Sequence, residues 1–352
     1  MNFIITILIL FLMLGIIISI HEFGHFIAAK KSGVYVDEFS LGFGPLLFKR
    51  KPKNSETTYS LRLLPLGGYV SMAEKEEKKS KIKKDRVLEN KRFINVLWVL
   101  INGVVFNFIL AIVLFFISGL IYGRPISEPV VNSVIENGAA YNAGIEAGDR
   151  IIEVNGVSIK TWDDFILEAS AKKLKDNYEF VIEKPNKEIV KYNLVPEIKE
   201  EKGEEVRVFG IVSNGVVYHK GLKNAFIYAF VGTYENSKTI FRILGSLFTG
   251  EVSVKNLSGP VGIYSVVDQV KSTGLRTLIF LTAYLSINVG IVNLIPIPVF
   301  DGGRIFILLI EKIIRRKTGE KLELALNYTG FALMILLMLY VTFNDIVRLW
   351  WG

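Results

Sequence analysis

Four long apolar stretches dominate the pattern of hydrophobic and polar positions along the chain. They cover Phe3–Ala29, Phe93–Tyr122, Thr277–Phe300 and Asn327–Asn344. Each is long enough for a transmembrane helix, which needs about 17–25 mostly apolar residues to cross the hydrocarbon core of a bilayer. The pattern therefore predicts a multi-pass α-helical membrane protein with four transmembrane helices.

A secretory signal peptide is the alternative interpretation of the first stretch. Met1 and Asn2 provide no basic n-region, and no small-residue cleavage site precedes Lys30. We therefore expect this stretch to remain in the protein as a transmembrane helix.

The loop after the first stretch has the composition of a small sheet. Val34–Phe48 and Thr57–Met72 are rich in β-prone residues, and glycines stand at the expected bends. This pattern predicts a membrane-associated β-hairpin or small sheet. Residues 73–92 are rich in Lys and Glu, which is typical of a solvated connector without chemistry of its own.

The segment between the second and third stretches is charged and rich in short β patterns. Val130–Val134, Asp149–Val154, Tyr178–Glu183 and Glu188–Leu194 are predicted strands, and Trp162–Lys175 has a helical pattern. A β-rich module of this size can fold independently.

An amphipathic helix is predicted after this module. Its apolar positions recur at helical spacing among charged residues, at Phe226, Phe230, Phe241, Leu244 and Phe248. The longest uncharged part is too short to span a bilayer, which indicates a helix lying on the outer leaflet.

Lysine and arginine are distributed in blocks beside the apolar stretches. The 352-residue chain has a formal net charge of +8, with sixteen Lys and Arg between Lys30 and Arg92 and six between Asp301 and Leu326. Short basic loops stay in the cytoplasm, so both loops are predicted to be cytoplasmic and the β-rich module to lie on the opposite side. The basic residues do not alternate with exposed aromatic residues on one face, so no nucleic-acid partner is predicted.

An HExxH motif lies within the first apolar stretch, at His21-Glu22-Phe23-Gly24-His25. Two imidazoles four residues apart lie on the same face of a helix and can bind one zinc ion, while Glu22 can accept a proton from water. The chain has three histidines and no cysteine, so a zinc site must use nitrogen and oxygen ligands. A chance match is the alternative, but His and Glu at membrane depth are costly unless they serve a function.

The third ligand of a catalytic zinc ion must come from elsewhere in the chain. Asp301 follows the third apolar stretch, where Pro296 and Pro298 break the helix, so we expect an extended segment there with free carbonyls. Asp301 could instead cap a helix starting near Gly303. Its position at membrane depth favours the ligand. His219 lies beyond the β-rich module, so a surface role is expected for it.

Four motifs together resemble the site-2 protease family of intramembrane metalloproteases, in its regulator-of-sigma-E protease branch. They are HEFGH, GVVFN at Gly103–Asn107, SGPVG at Ser258–Gly262 and the segment Asn293–Gly303, and they occur in this order over nearly the whole chain. The resemblance implies that zinc (Zn²⁺) is the cofactor, that its ligands are His21, His25 and Asp301, and that Glu22 is the general base. It further implies that Asn293 and the β loop, at Gly67, Gly68 and Tyr69, bind the substrate.

The β-rich module is similar to the circularly permuted PDZ domain of the same family. The resemblance implies regulated intramembrane proteolysis of single-span membrane proteins, such as anti-sigma factors or remnant signal peptides, in the inner membrane of a bacterial cell. Several members carry two PDZ domains, and this chain has room for one. Phe300 replaces the usual leucine before the Asp-Gly pair, with no expected change of role. The predicted organisation is transmembrane segments 1–32, 93–123, 277–303 and 327–347, cytoplasmic loops 33–92 and 304–326, an extracytoplasmic PDZ domain 124–200, and a linker with the interfacial helix 201–276.

Two other classes of protein remain as alternatives. A non-proteolytic adaptor would keep the PDZ domain and a vestigial HExxH motif, although Glu22, both histidines and Asp301 are intact. A transporter would use the membrane-embedded His and Asp as an ion path, but such proteins commonly show duplicated halves, and no internal repeat is evident here.

Overall fold

The computed structural model describes residues 2–75, 82–169, 177–201, 204–213, 215–250 and 257–351. They form two compact units. Unit 1 combines Met1–Ile121 with Ala225–Gly352, and unit 2 is Tyr122–Asn224.

Helices and strands are numbered along the chain. The α-helices are α1 (Asn2–Lys31), α2 (Phe93–Tyr122), α3 (Ala139–Ala143), α4 (Trp162–Ala169), α5 (Leu222–Thr249), α6 (Pro260–Val270), α7 (Leu275–Val292), α8 (Asp301–Ile314) and α9 (Glu320–Trp351). The strands are β1 (Val36–Arg50), β2 (Thr58–Met72), β3 (Arg124–Ser127), β4 (Val131–Val134), β5 (Arg150–Val154), β6 (Val157–Ser158), β7 (Tyr178–Glu183), β8 (Ile189–Leu194), β9 (Glu197–Glu201), β10 (Glu204–Val208), β11 (Ile211–Ser213) and β12 (Val216–His219).

Four helices of unit 1, namely α1, α2, α7 and α9, are long and apolar enough to cross a membrane. They correspond to the four predicted stretches. Helix α7 ends at Val292, eight residues before the predicted Phe300. The two prolines of the following loop explain the early end, because proline lacks a backbone donor and disfavours helix at the residue before it.

The predicted β-hairpin of unit 1 is confirmed. Strands β1 and β2 pair antiparallel with several register shifts, and β2 packs along α1. Two glycines permit this packing. A Cβ at Gly67, whose φ is +119°, would lie 2.6 Å from the Ile18 side chain, and one at Gly68 would lie 2.3 Å from the Ser40 carbonyl oxygen. The end of β2 therefore lies directly against the helix that carries the HExxH motif.

Unit 2 contains a four-stranded antiparallel sheet in the order β6-β5-β7-β8. The predicted strands are confirmed within two residues at their ends. Helix α4 starts at the predicted Trp162, and residues 170–175 of the predicted helix lie outside the described residues. Tyr178, Phe180 and Phe209 are buried against one another, with ring centroids 5.1 and 5.2 Å apart, and form the centre of the core.

Helix α5 confirms the amphipathic helix predicted after the β-rich module. In unit 1 it packs closely on α2, because Gly119 lacks a side chain. A Cβ there would lie 2.8 Å from the Cα of Ala225. The apolar side chains of Phe226, Phe230 and Phe241 are exposed. Its location on the outer leaflet stays a prediction.

Candidate metal centre

A short loop between α7 and α8 brings Asp301 to the centre of unit 1. The Gly302 N–H donates to the Asn293 carbonyl at 2.7 Å, so the two ends of the loop lie together. A Cβ at Gly302 would lie 2.3 Å from the Leu294 carbonyl oxygen, so only glycine fits there. The expectation of an extended segment is wrong. The loop folds into consecutive turns, because Gly302 and Gly303 at the start of α8 leave room for the carbonyl oxygens of Leu294 and Ile297.

The HExxH histidines meet Asp301 in a tight cluster. Nε2 of His21 lies 3.1 Å and Nε2 of His25 lies 3.2 Å from Oδ2 of Asp301, and the two Nε2 atoms are 3.2 Å apart. Both imidazoles are buried. Ligand atoms at about 2.0–2.1 Å from a tetrahedral zinc ion stand about 3.3 Å apart. The three atoms therefore have the chemistry and the spacing of one face of a zinc coordination tetrahedron.

The alternative role of Asp301 as a helix cap does not fit the structure. Asp301 is the first residue of α8, and Phe300 occupies the cap position without a side-chain capping hydrogen bond. The Asp301 carboxylate contacts the two imidazoles, which lie 280 and 276 positions earlier in the chain. A carboxylate placed against two buried imidazoles is better explained by a shared ion than by a helix end.

The cluster borders a cavity of about 320 Å³. Glu22, Asn293 and Asp301 line it together with both histidines. Nδ2 of Asn293 lies 3.5 Å from Nε2 of His21. The predicted catalytic and metal-binding residues are thus all at one site, with Glu22 only partly buried.

Strand β2 borders the same cavity through Val70 and Met72. Side chains alternate along a strand, so Tyr69 points away from the cavity, and its hydroxyl group accepts from Arg62 at 2.8 Å. The three predicted substrate-binding residues of β2 are Gly67, Gly68 and Tyr69, and they are not among the cavity walls.

Helix α2 contributes residues for which the sequence analysis names no role. A Cβ at Gly103 would lie 2.4 Å from Nε2 of His25, so a side chain there would occupy the site. Nδ2 of Asn107 lies 3.2 Å from Nδ1 of His21. Their four-residue spacing, with a polar amide inside an otherwise apolar stretch, is the signal that could have identified them.

His219 belongs to β12 of unit 2, where its Nε2 lies 2.9 Å from Oε1 of Glu128. The group of metal-ligand side chains found among the described residues consists of His21, His25 and Asp301. This partner of His219 agrees with the surface role expected for it.

The model of peptidase family M50 matches residues 9–337. The chain belongs to peptidase family M50, the site-2 protease family. It is therefore an integral membrane zinc metalloprotease, and the family resemblance seen in the sequence is confirmed.

Several curated relatives of this M50 peptidase are similar over nearly their full lengths. It is 32% identical to the zinc metalloprotease RasP of Bacillus licheniformis, over 98% of this chain and 99% of the relative. It is also 32% identical to the regulator of sigma-W protease RasP of Bacillus subtilis, over 99% of both. A predicted zinc metalloprotease of Clostridium acetobutylicum is 37% identical over 97% of each chain. The RasP alignments run over 425 and 426 positions, so these relatives carry segments that this 352-residue chain lacks.

Proposed function

We propose that this chain is an intramembrane zinc endopeptidase in which His21, His25 and Asp301 hold the metal. The observation that carries this proposal is the set of three ligand atoms at 3.1 to 3.2 Å from one another, two of them on α1, a helix long and apolar enough to cross a membrane. Zinc, when bound, supplies a Lewis acid that polarises the scissile carbonyl and acidifies water.

Two residues beside the metal ligands would do the remaining chemistry. Glu22 follows His21 and lines the cavity, so it can accept the proton of the attacking water and deliver it to the leaving amine. The amide of Asn293 can donate to the substrate carbonyl, since its Nδ2 already lies 3.5 Å from Nε2 of His21.

Strand β2 is the element that would hold the substrate. It pairs with β1 alone in the described sheet, so no strand occupies its other edge. An extended peptide added to that edge near Gly67, Gly68 and Tyr69 would lie beside Val70 and Met72 at the cavity. Such pairing would unwind a helical substrate and present its backbone to the metal.

The substrates are proposed to be single-span membrane proteins. The Bacillus subtilis relative is named a regulator of sigma-W protease, which supports anti-sigma factors as one substrate class. Remnant signal peptides are proposed as a second class. Unit 2, with its four-stranded antiparallel sheet and short helices, is proposed to be the single PDZ domain and to filter or dock the trimmed substrate end.

The proposed location is the bacterial inner membrane. The basic residues of loops 33–92 and 304–326 support a cytoplasmic position for both loops. Cavity walls at Glu74 and Arg304 lie in these loops, so the active site would open toward the cytoplasm and unit 2 would lie outside. An adaptor or a transporter would not require the bound metal for its function, so metal analysis combined with activity separates these classes.

The test uses the full-length protein in proteoliposomes with a single-span model substrate. Glu22→Gln should retain zinc and lose cleavage activity by at least about 100-fold, because only the proton acceptor is removed. Asp301→Asn should lose both zinc and activity, because one charged ligand is missing.

Glu153→Gln, the same chemical change in unit 2, is the matched control and should behave as wild type. Cleavage at the wild-type rate by Glu22→Gln would remove the general-base assignment. Zinc bound to Asp301→Asn with unchanged affinity would remove the ligand assignment.

A further inference from the structure

Asn107 of α2 is completely buried in unit 1, and its side chain meets the HExxH motif. Its Nδ2 lies 3.2 Å from Nδ1 of His21, whereas its Oδ1 is buried without a hydrogen-bond partner. A primary amide in an apolar segment is expected to use its carbonyl oxygen as an acceptor. The unpaired Oδ1 therefore calls for a physical explanation.

The orientation of the amide determines which tautomer of His21 is possible. Donation from Nδ2 would require an unprotonated Nδ1, and the neutral ring would then carry its proton on Nε2. That Nε2 faces His25 and Asp301 at 3.2 and 3.1 Å, where a metal ligand needs a lone pair. A half-turn of the amide exchanges its oxygen and nitrogen with almost no change of shape. Oδ1 then accepts the Nδ1–H of His21, and the Nδ2 group takes the former place of Oδ1. This orientation leaves the lone pair of His21 Nε2 free for a metal.

The second histidine supports this orientation. Nδ1 of His25 lies 2.8 Å from the carbonyl oxygen of Val99, an atom that can only accept a hydrogen bond. His25 therefore carries its proton on Nδ1 and has Nε2 free for the metal. With the amide of Asn107 turned, His21 adopts the same tautomer, and the two imidazoles become equivalent ligands.

The backbone of Asn107 is held by α7. The hydroxyl group of Ser286, also completely buried, donates to the Asn107 carbonyl oxygen at 2.9 Å. A Cβ at Gly290 would contact the Cβ of Asn107 at 3.4 Å, so α7 packs closely at this point. The amide is thus fixed between α2, α7 and the imidazole of His21 in α1.

We propose that Asn107 is a positioning residue that accepts the Nδ1–H of His21 through Oδ1 and so fixes the metal-binding tautomer. This inference rests on the proposed function, because it assumes that His21 binds zinc. A group that accepts a hydrogen bond from the second ring N–H of a metal-binding histidine orients the ring and raises the basicity of the ligating nitrogen. Asn107 acts through His21 and does not itself touch zinc or the substrate.

The experiment compares the zinc affinity of full-length variants in detergent by competition with a chelator. Asn107→Leu removes the acceptor and should weaken zinc binding about 10- to 100-fold. Asn107→Asp keeps an acceptor at this position and loses the N–H donor, so its affinity should stay within a few-fold of wild type. The visible absorption spectrum after cobalt substitution should be wild-type for Asn107→Asp and altered for Asn107→Leu.

Asn102→Leu is the matched control. Asn102 is also buried in α2, but its Nδ2 donates to the Trp98 carbonyl oxygen of the same helix at 2.6 Å. This variant should keep the zinc affinity of the wild type. If Asn107→Leu does not fold, Asn107→Ala removes the same acceptor with less apolar volume.

Equal losses in Asn107→Asp and Asn107→Leu would overturn the proposal, because the amide would then act as a donor. Unchanged affinity in Asn107→Leu would overturn it as well. Failure of the proposed function is distinguishable, since Asp301→Asn would then bind zinc as the wild type does, whatever the Asn107 variants do.

Discussion

The two units bury opposite kinds of side chain. Unit 2 encloses aromatic and aliphatic residues, and its buried Asp149 is paired with Lys184 at 2.8 Å. Unit 1 exposes large apolar side chains on its long helices, for example Leu12 at 60% and Leu336 at 62%, and buries polar ones such as Ser286. Unit 2 has the pattern of a protein surrounded by water, whereas the helices of unit 1 have the pattern expected in lipid.

This difference explains what buried polar groups do in each unit. In lipid, apolar surface outside carries no penalty, while a polar group inside must be satisfied by another group or by an ion. His21 and His25 meet Asp301 at the cavity of unit 1, whereas the buried Asp149 of unit 2 is paired with Lys184 and stabilises a fold. Substitutions in the core of unit 2 should therefore change the stability of that fold. Substitutions at the centre of unit 1 should change zinc binding instead.

The largest expected effect on stability is in the core of unit 2. Phe180→Ala removes a completely buried ring that packs on Phe165 and Phe209. It should lower the free energy of unfolding by about 3–5 kcal/mol. Hydrogen exchange in β7 should accelerate accordingly in the full-length protein, while zinc content stays unchanged. Leu167→Ala, at a 75% exposed position of α4, is the control. Loss of zinc in Phe180→Ala would contradict the separation of the two units.

A single methyl group should affect the metal centre without affecting unit 2. The Cβ of Gly103→Ala would stand 2.4 Å from Nε2 of His25, and such overpacking typically costs about 1–3 kcal/mol. Zinc affinity should therefore fall about 10- to 100-fold, measured by chelator competition.

Gly245→Ala is the matched control for this substitution, because a Cβ there meets nothing within 4 Å. Hydrogen exchange of β7 should be the same in both glycine variants. Wild-type zinc affinity in Gly103→Ala would show that α2 can move away, and that the imidazoles are less tightly enclosed than the structure indicates.

The smallest effect is expected at the aqueous edge of unit 1. Two hydrogen bonds from Arg86, each 2.6 Å long, and one from Lys30 lower the pKa of Glu56 from 4.5 to about 2. A lowered folded-state pKa means that Glu56 stabilises the fold above about pH 4.5 and stops doing so as the pH falls toward 2. Because the Arg86–Glu56 pair is partly exposed, Glu56→Gln should lower the free energy of unfolding by less than about 1 kcal/mol at pH 7.

Denaturant unfolding at pH 7 and at about pH 3 measures this effect. The difference in free energy of unfolding between wild type and Glu56→Gln should be smaller at the lower pH. Glu136→Gln, at an exposed position in unit 2, should show no such difference at either pH. If the loss of unfolding free energy caused by Glu56→Gln grew as the pH fell, the lowered pKa of Glu56 would be contradicted.

Local patterns predicted much of this protein correctly. The spacing of His21 and His25 within one helix, the four apolar stretches and the β-prone composition of β7 each depend on neighbours a few positions away. Helical and strand periodicity are short-range properties, so they can be read from the chain directly. The position of Asp301 at membrane depth indicated a ligand, and family resemblance added Asn293, but no local pattern could join either residue to the first helix.

Packing between distant segments determined the rest. Asp301 lies 280 positions from His21, and Asn107 lies 86 positions from it. The compact turns of the loop after α7, the direction of Tyr69 and the narrow space at Gly103 result from contacts between segments far apart in the chain. Such contacts depend on how three helices pack around one ion-sized space, and no period in the sequence encodes the distance between atoms on different helices.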